Sequence, residues 1–407
     1  MLNVIFCLFF LVSFINACYL LLQGQTDIFE TIVKALFEAS EQGFKISIGL
    51  TGMLCLWLGL LKVGEKSGLT NLIAKALRPL FKKIMPDVPE NHPAIGSMVM
   101  NMAANFLGLD NAATPMGLKA MEQLQELNQD KDRASPAQIL FMVINTTAVT
   151  FIPINILMYR QMLGSLNPAA VFVPILLATS VSTLVGFLAV AVVQKLNIFN
   201  KVVLAYLAFF LSIVGGLAYY FTTIPSELRL EYSSIFANFV LMTFVVMFIL
   251  AGIVKRLNVY EVFIDGAKEG FDVAIKIIPY LVAMLCAIAV FRSSGVMDLL
   301  ISWMTALFEA IGLNTDFVPA LPTALMKPLS GSGARAMMIE TLSHYGPNSF
   351  EGFVASVMQG STETTFYVLA VYFGAVKIRK TGEALPCALI ADFAGLTAAV
   401  VFSYVFF

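Results

Sequence analysis

Two polar runs interrupt stretches that are otherwise apolar: "NTT" at 145–147 followed by Thr150, and "QGSTETT" at 359–365. They lie inside 136–159 and 353–376, and the second brings a carboxylate, Glu363. Two interrupted pieces carry comparable chemistry. Residues 101–117, "NMAANFLGLDNAATPMG", supply Asn101, Asn105, Asp110, Asn111 and Thr114; residues 326–337, "MKPLSGSGARAM", supply Lys327, Ser330, Ser332 and Arg335. Amides, hydroxyls and charges in such runs suit the binding of a small polar solute. No Ser/His, HExxH or paired-Asp arrangement accompanies them, so an enzyme is not expected.

The expected solute-binding set is Asn101, Asn105, Asp110, Asn111, Thr114, Asn145, Thr146, Thr147, Ser330, Ser332, Arg335, Gln359, Ser361, Thr362, Thr364 and Thr365. A hydroxyl in a helix can instead bond back to its own turn, which is the structural alternative for each Ser and Thr. Glu363 and Asp392 are the expected ion-coupling residues. A carboxylate inside a membrane span is costly and acts as a proton carrier, a cation ligand or the partner of a fixed cation. Lys327 and Arg335 are candidate partners, a permanent ion pair being the structural alternative. Arg160, near the outer end of its stretch, is expected to snorkel. The five cysteines are scattered singly and the two histidines lie far apart, so neither a metal site nor a cofactor is expected.

The elements that would hold these residues are membrane spans. Hydrophobic residues make up 59% of the 407 and charged residues 13%, whereas a soluble chain is about a quarter charged. The net charge of −1 gives no footprint for nucleic acid. Nine apolar runs are long enough to span: 2–22, 44–61, 136–159, 169–194, 201–221, 233–254, 271–291, 353–376 and 384–407. Amphipathic stretches lie at 28–42, 69–84, 258–269 and 296–311, and re-entrant hairpins are expected at 93–122 and 317–343. The first run lacks a basic leader and is long for a signal peptide, so it reads as a transmembrane helix.

The chain also repeats. Residues 43–73 lie without gaps over 270–300, with Gly43/Gly270, Phe44/Phe271, Ser67/Ser294 and Gly68/Gly295 coinciding. Residues 144–156 lie over 359–371 and 175–187 over 388–400, which makes Glu363 and Asp392 the mates of Ala148 and Thr179. Lys62, Lys66, Lys75, Arg78, Lys82, Lys83, Lys195, Lys201, Lys255, Arg256, Lys377, Arg379 and Lys380 mark the cytoplasmic side. One topology satisfies them. The fold expected is an all-α polytopic membrane protein of two inverted repeats, 1–197 and 230–407, joined by a connecting span and loop at 198–229. Each repeat has four spans and a hairpin; the N-terminus is cytoplasmic and the C-terminus outside. Inverted repeats with interrupted segments are the architecture of secondary transporters.

The motifs also carry a resemblance. "MPDVPENHPAIG" and "NFLGLDNAATPMGLKAMEQL" resemble spore maturation A proteins over about 1–197. "SSG", "PLSGSGAR" and "MQGSTETTFYVLAVYFGAVKIRKTGEAL" resemble spore maturation B proteins over about 230–407. That group carries the nucleoside-recognition, or Gate, domain and is similar to concentrative nucleoside transporters. The resemblance implies an inverted-repeat transport fold with elevator-like movement, and a part in dehydrating the spore core. "QGSTETT" is similar to a Gln-Thr-Glu run that meets nucleoside and cation in those transporters, but here it falls in a span after the hairpin.

The function expected is transport of a small anionic or zwitterionic solute across the bacterial cytoplasmic (inner) membrane, coupled to H⁺ or Na⁺. The alternatives are a passive channel or permease, and a non-transporting scaffold in spore maturation. The expected partners are the lipid bilayer, the solute and the ion, with no nucleic acid; a homo-oligomer is left open.

Overall fold

The computed structural model describes residues 2–106, 110–149 and 151–407, without the side chains of Leu2 and of 110–112. The chain is almost entirely helical. Among the described residues the one β feature is an isolated bridge between Arg133 and Lys380.

The first half begins with α1 (Leu2–Leu22), α2 (Ile28–Lys66) and the amphipathic α3 (Leu69–Ile84). Two short helices, α4 (Pro93–Phe106) and α5 (Asp110–Leu127), form the hairpin arms. Then come α6 (Pro136–Thr146), α7 (Ile154–Met162) and α8 (Phe172–Val193), and α9 (Lys201–Thr223) leads out. The second half repeats this order as α10 (Ser226–Val254), α11 (Val259–Ser293), α12 (Val296–Ala310), α13 (Leu321–Met326), α14 (Gly331–Tyr345), α15 (Phe350–Gly360), α16 (Thr365–Ala375) and α17 (Ala384–Phe406).

Seven helices are long and apolar enough to cross a membrane: α1, α2, α8 with the 3-10 turn before it, α9, α10, α11 and α17. The chain is a multi-pass membrane protein. The other two apolar runs are not continuous helices. The run 136–159 breaks between α6 and α7, and 353–376 breaks at 361–364 between α15 and α16. Pro153 stands immediately before the restart of the first, and Thr364 before that of the second. The starts of the broken pairs are fixed by sequence. Ser135 accepts from the Gln138 amide while the Gln138 side chain accepts from the Ser135 amide, a capping box followed by Pro136. Ser349 caps α15 by accepting from the Gly352 amide at 3.0 Å.

Two sequence expectations are corrected. The amphipathic stretch 28–42 and the span 44–61 are one 39-residue helix, about 58 Å long. Its buried stripe of Ile32, Ala39, Gly43, Ile46, Leu50 and Leu54 runs through the supposed boundary at helical spacing, and no proline interrupts it. Likewise 258–269 and 271–291 merge into α11, 35 residues long.

α2 and α11 pack along each other in opposite directions. A Cβ at Gly43 would sit 3.1 Å from Val282 Cα, and one at Gly270 would sit 2.7 Å from the Cys55 amide nitrogen. In the sequence repeat Gly43 is the mate of Gly270 and Cys55 the mate of Val282, so the two contacts exchange partners. α8 and α17 behave alike. Ser182 Oγ donates to the Ala391 carbonyl at 3.0 Å, and Ser182 touches Gly395, its mate in the repeat. Contacts of residue i with j answered by j with i are the mark of a two-fold relation.

Candidate functional site

The two helix breaks meet. The Glu363 amide donates to the carbonyl of Thr146, the last residue of α6, at 2.9 Å. The tip of the second hairpin joins them, since the Phe366 amide donates to the Pro328 carbonyl at 3.0 Å and Thr364 lies against Gly331. Ser330 caps α14 by accepting from the Gly333 amide at 3.1 Å. α14 and α16 therefore begin beside each other at the end of α6. Helix starts present partial positive charge, although the Phe366 and Gly333 amides are already taken by Pro328 and Ser330.

A cavity of about 370 Å³ opens at this junction. One wall is apolar and belongs to α2, α7 and α11, with Trp57, Tyr159 and Ile277 among its residues. The other wall carries Asn105, Lys327, Arg335, Gln359, Thr362 and Glu363. Lys327 is 5% exposed and lies within electrostatic reach of Glu363, Arg335 and Asp392. It forms no ion pair among the described residues. Arg335 lies over the Tyr159 ring, 5.8 Å from its centroid, and likewise pairs with no described acid. The direct ion pairs considered for Glu363 and Asp392 are thus not made. Gln359 Oε1 and Thr362 Oγ1 are buried without a hydrogen-bond partner. Buried polar atoms are nearly always paired, so Gln359 Oε1 on the cavity wall is a position for a solute or water, while the Thr362 hydroxyl lies near the Asp392 carboxylate.

Asp392 stands just behind this wall. Its Oδ2 accepts from Thr365 Oγ1 at 2.7 Å, and its Oδ1 has no partner among the described residues. Asn105, Asn145 and Asn101 form a chain into the first hairpin. Asn105 Nδ2 donates to Asn145 Oδ1 at 2.9 Å, and Asn101 Nδ2 donates to Tyr372 Oη at 3.2 Å and to the Ala113 carbonyl at 2.8 Å. Of the three asparagines, only Asn105 lines the cavity.

The remaining expected residues do other things. Thr146 and Thr147 both bond back to the Val143 carbonyl, and Ser361 to that of Met358. Ser330 and Ser332 face each other at 3.2 Å on the hairpin, and Thr114 is exposed on α5. The side chains of Asp110 and Asn111, and Thr150 altogether, lie outside the described residues. Arg160 does not snorkel: it is 2% exposed, donating to Ser356 and Ser165 at 3.1 and 3.2 Å. Sequence reasoning missed Trp57, Asn155, Tyr159 and the rim, where Lys62 pairs with Glu269 at 3.0 Å and Glu65 at 3.5 Å. Asn155, a lone amide in an apolar run, was the one available signal. Opposite the rim, at the far end of α11, Arg292 pairs with Glu340 of α14 and with Asp298 at 3.4 Å.

A family model described as nucleoside recognition, Gate, matches residues 47–164 and 274–379, together more than half of the chain. The two matches fall on corresponding stretches of the two halves. Spore maturation protein B of Bacillus subtilis (strain 168) is 50% identical over 153 residues, 38% of this chain and 84% of that protein. Spore maturation protein A of the same strain is 40% identical over 153 residues, 38% of this chain and 78% of that protein. No solved structure matches the chain.

Proposed function

Because the chain belongs to the Gate family, described as nucleoside recognition, we propose that it is a secondary transporter of a small anionic or zwitterionic solute. The observation that carries this reading is Lys327, a buried lysine without an ion pair among the described residues, at the junction of two broken helices and a hairpin tip. A buried charge that has no direct ion pair and is only partly offset by carboxylates at longer range is costly. An anionic group on the solute would compensate it, helped by Arg335 and the adjoining helix starts. Glu363 would take the coupling ion.

The exchanged contacts of α2 with α11 and of α8 with α17 support a pair of inverted repeats, and with it alternating access. In this state the cavity reaches the rim of Lys62, Glu65 and Glu269. The opposite end is held by the Arg292–Glu340 pair and by Arg160. Positive residues at the rim end support a cytoplasmic location for it. From the relatives' names we take spore maturation as the setting; those names specify no solute.

Coupling is assigned to Glu363 and Asp392, with H⁺ or Na⁺ as the ion. Thermal-shift screening of the purified chain against amino acids, dipeptides, nucleosides and dicarboxylates, with and without Na⁺, would name the solute class, since ligand binding raises apparent stability by mass action. Stabilisation by an anionic class that is lost in Lys327→Met supports the reading. The same stabilisation in Lys327→Met contradicts it.

A further inference from the structure

A second cavity, of about 800 Å³, lies between α3, the start of α4 and the end of α10. Lys75, Arg78, His92 and Lys255 line it, and among the described residues no Asp or Glu does. Lys82 and Lys83, further along α3, share one acid partner, Glu90, at 3.1 and 3.6 Å. Lys75, Arg78 and Lys255 form no ion pair among the described residues. Three uncompensated cations around one concave space form a site for a polyatomic anion.

A third cavity, of about 520 Å³, adjoins it and settles which anion. It is a groove along α10 lined by Phe239, Met242, Val246 and Leu250, with Thr243 its one polar residue. Ala251 and Val254 line both spaces, so the apolar groove runs into the basic pocket. Phe239, Met242, Leu250 and Val254 are exposed on a helix long enough to span. From Phe239 to Val254 the groove follows about 22 Å of helix, longer than the roughly 15 Å half-thickness of a hydrocarbon core.

We propose that the two cavities form one binding site for an anionic phospholipid, with the phosphate among Lys75, Arg78 and Lys255 and an acyl chain along α10. A free phosphate would satisfy the cations and leave the groove empty; a zwitterionic lipid would fill the groove and bring a cation to the cations. The site joins α3 of the first half to α10 of the second, at the end of the molecule where basic residues gather. Basic pockets between spanning helices on the cytoplasmic side hold anionic head groups in this manner.

The test is native mass spectrometry of the full chain in detergent, titrated with dioleoyl phosphatidylglycerol, dioleoyl phosphatidylcholine or inorganic phosphate. Phosphatidylglycerol is expected to stay bound in preference to phosphatidylcholine. Each charge removed in the series Lys75→Gln, Arg78→Gln, Lys255→Gln should weaken retention about fivefold. Val246→Trp, which obstructs the groove and leaves the cations, should weaken it as well. Circular dichroism and size-exclusion profiles identify any variant that fails to fold, and the lipid comparison on the unaltered chain stands without the variants. Equal retention of the two lipids, phosphatidylglycerol binding unchanged in the folded triple variant, or a thermal shift that phosphate alone reproduces would each overturn the proposal.

Discussion

Lys327 and Glu363 differ in how they could be found. Glu363 is visible in the sequence because a carboxylate in an apolar run has few structural excuses. Lys327 is visible as a charge, but its burial without an ion pair belongs to the packing of the hairpin tip against the second break. The hydroxyl residues are ambiguous in sequence for a physical reason. A hydroxyl that binds solute and one that bonds back to its own helix have the same spacing, and Thr146, Thr147 and Ser361 do the latter. Glu363→Gln is expected to cut gradient-driven uptake at least tenfold while preserving solute exchange; uptake in proteoliposomes with and without an imposed ion gradient measures both. Thr365→Val removes the donor to Asp392 Oδ2 and should cost about 2 kcal/mol, the penalty of stranding a buried acceptor. Thermal unfolding of the detergent-purified variant would show it, and an unchanged midpoint would mean that solvent reaches Asp392.

Between elements, the closest approach is that of α2 to α11. Gly270 has no room for a side chain, its Cβ position lying 2.7 Å from Cys55 and Leu54 backbone atoms, whereas Gly215 on α9 has nothing within 4 Å. Gly270→Ala should therefore destabilise by about 2 kcal/mol through overpacking, and Gly215→Ala should leave the unfolding midpoint near its starting value. The Arg292–Glu340 pair ties α11 to the second hairpin, and both side chains are 13% exposed. Glu340→Gln leaves the guanidinium only the exposed Asp298 as an acid partner, at 3.4 Å, and should cost about 3 kcal/mol, whereas Arg292→Met with Glu340→Leu should recover most of it. If the pair also holds that end shut, Glu340→Gln will raise labelling of cysteines placed along the α14 face. Broken helices and hairpins were legible because Gly, Asn, Ser and Pro cluster there. The fusion of amphipathic and spanning stretches into α2 and α11 was not. A helix continues wherever its buried stripe does, and hydropathy alone puts a boundary where polarity changes.

For the molecule as a whole, the repeat seen in sequence reappears as contacts between equivalent positions. Gly43 with Val282 answers Gly270 with Cys55, and Ser182 meets its own mate, Gly395. The proposed transporter would use such an exchange to present one central site to two sides of the membrane. The membrane orientation rests on basic residues, so cysteines at Lys131 and Asn314 in a cysteine-free background should be labelled from inside and from outside the cell, respectively; the reverse would invert the assignment. The central claim is that the cavity beneath the two breaks carries a solute across the membrane. Counterflow in proteoliposomes measures that most directly, using the solute class that stabilises the purified chain. Saturable, exchange-stimulated uptake that survives in Glu363→Gln and collapses in Lys327→Met is the expected result. Flux without exchange stimulation, or uptake indifferent to Lys327, would contradict it.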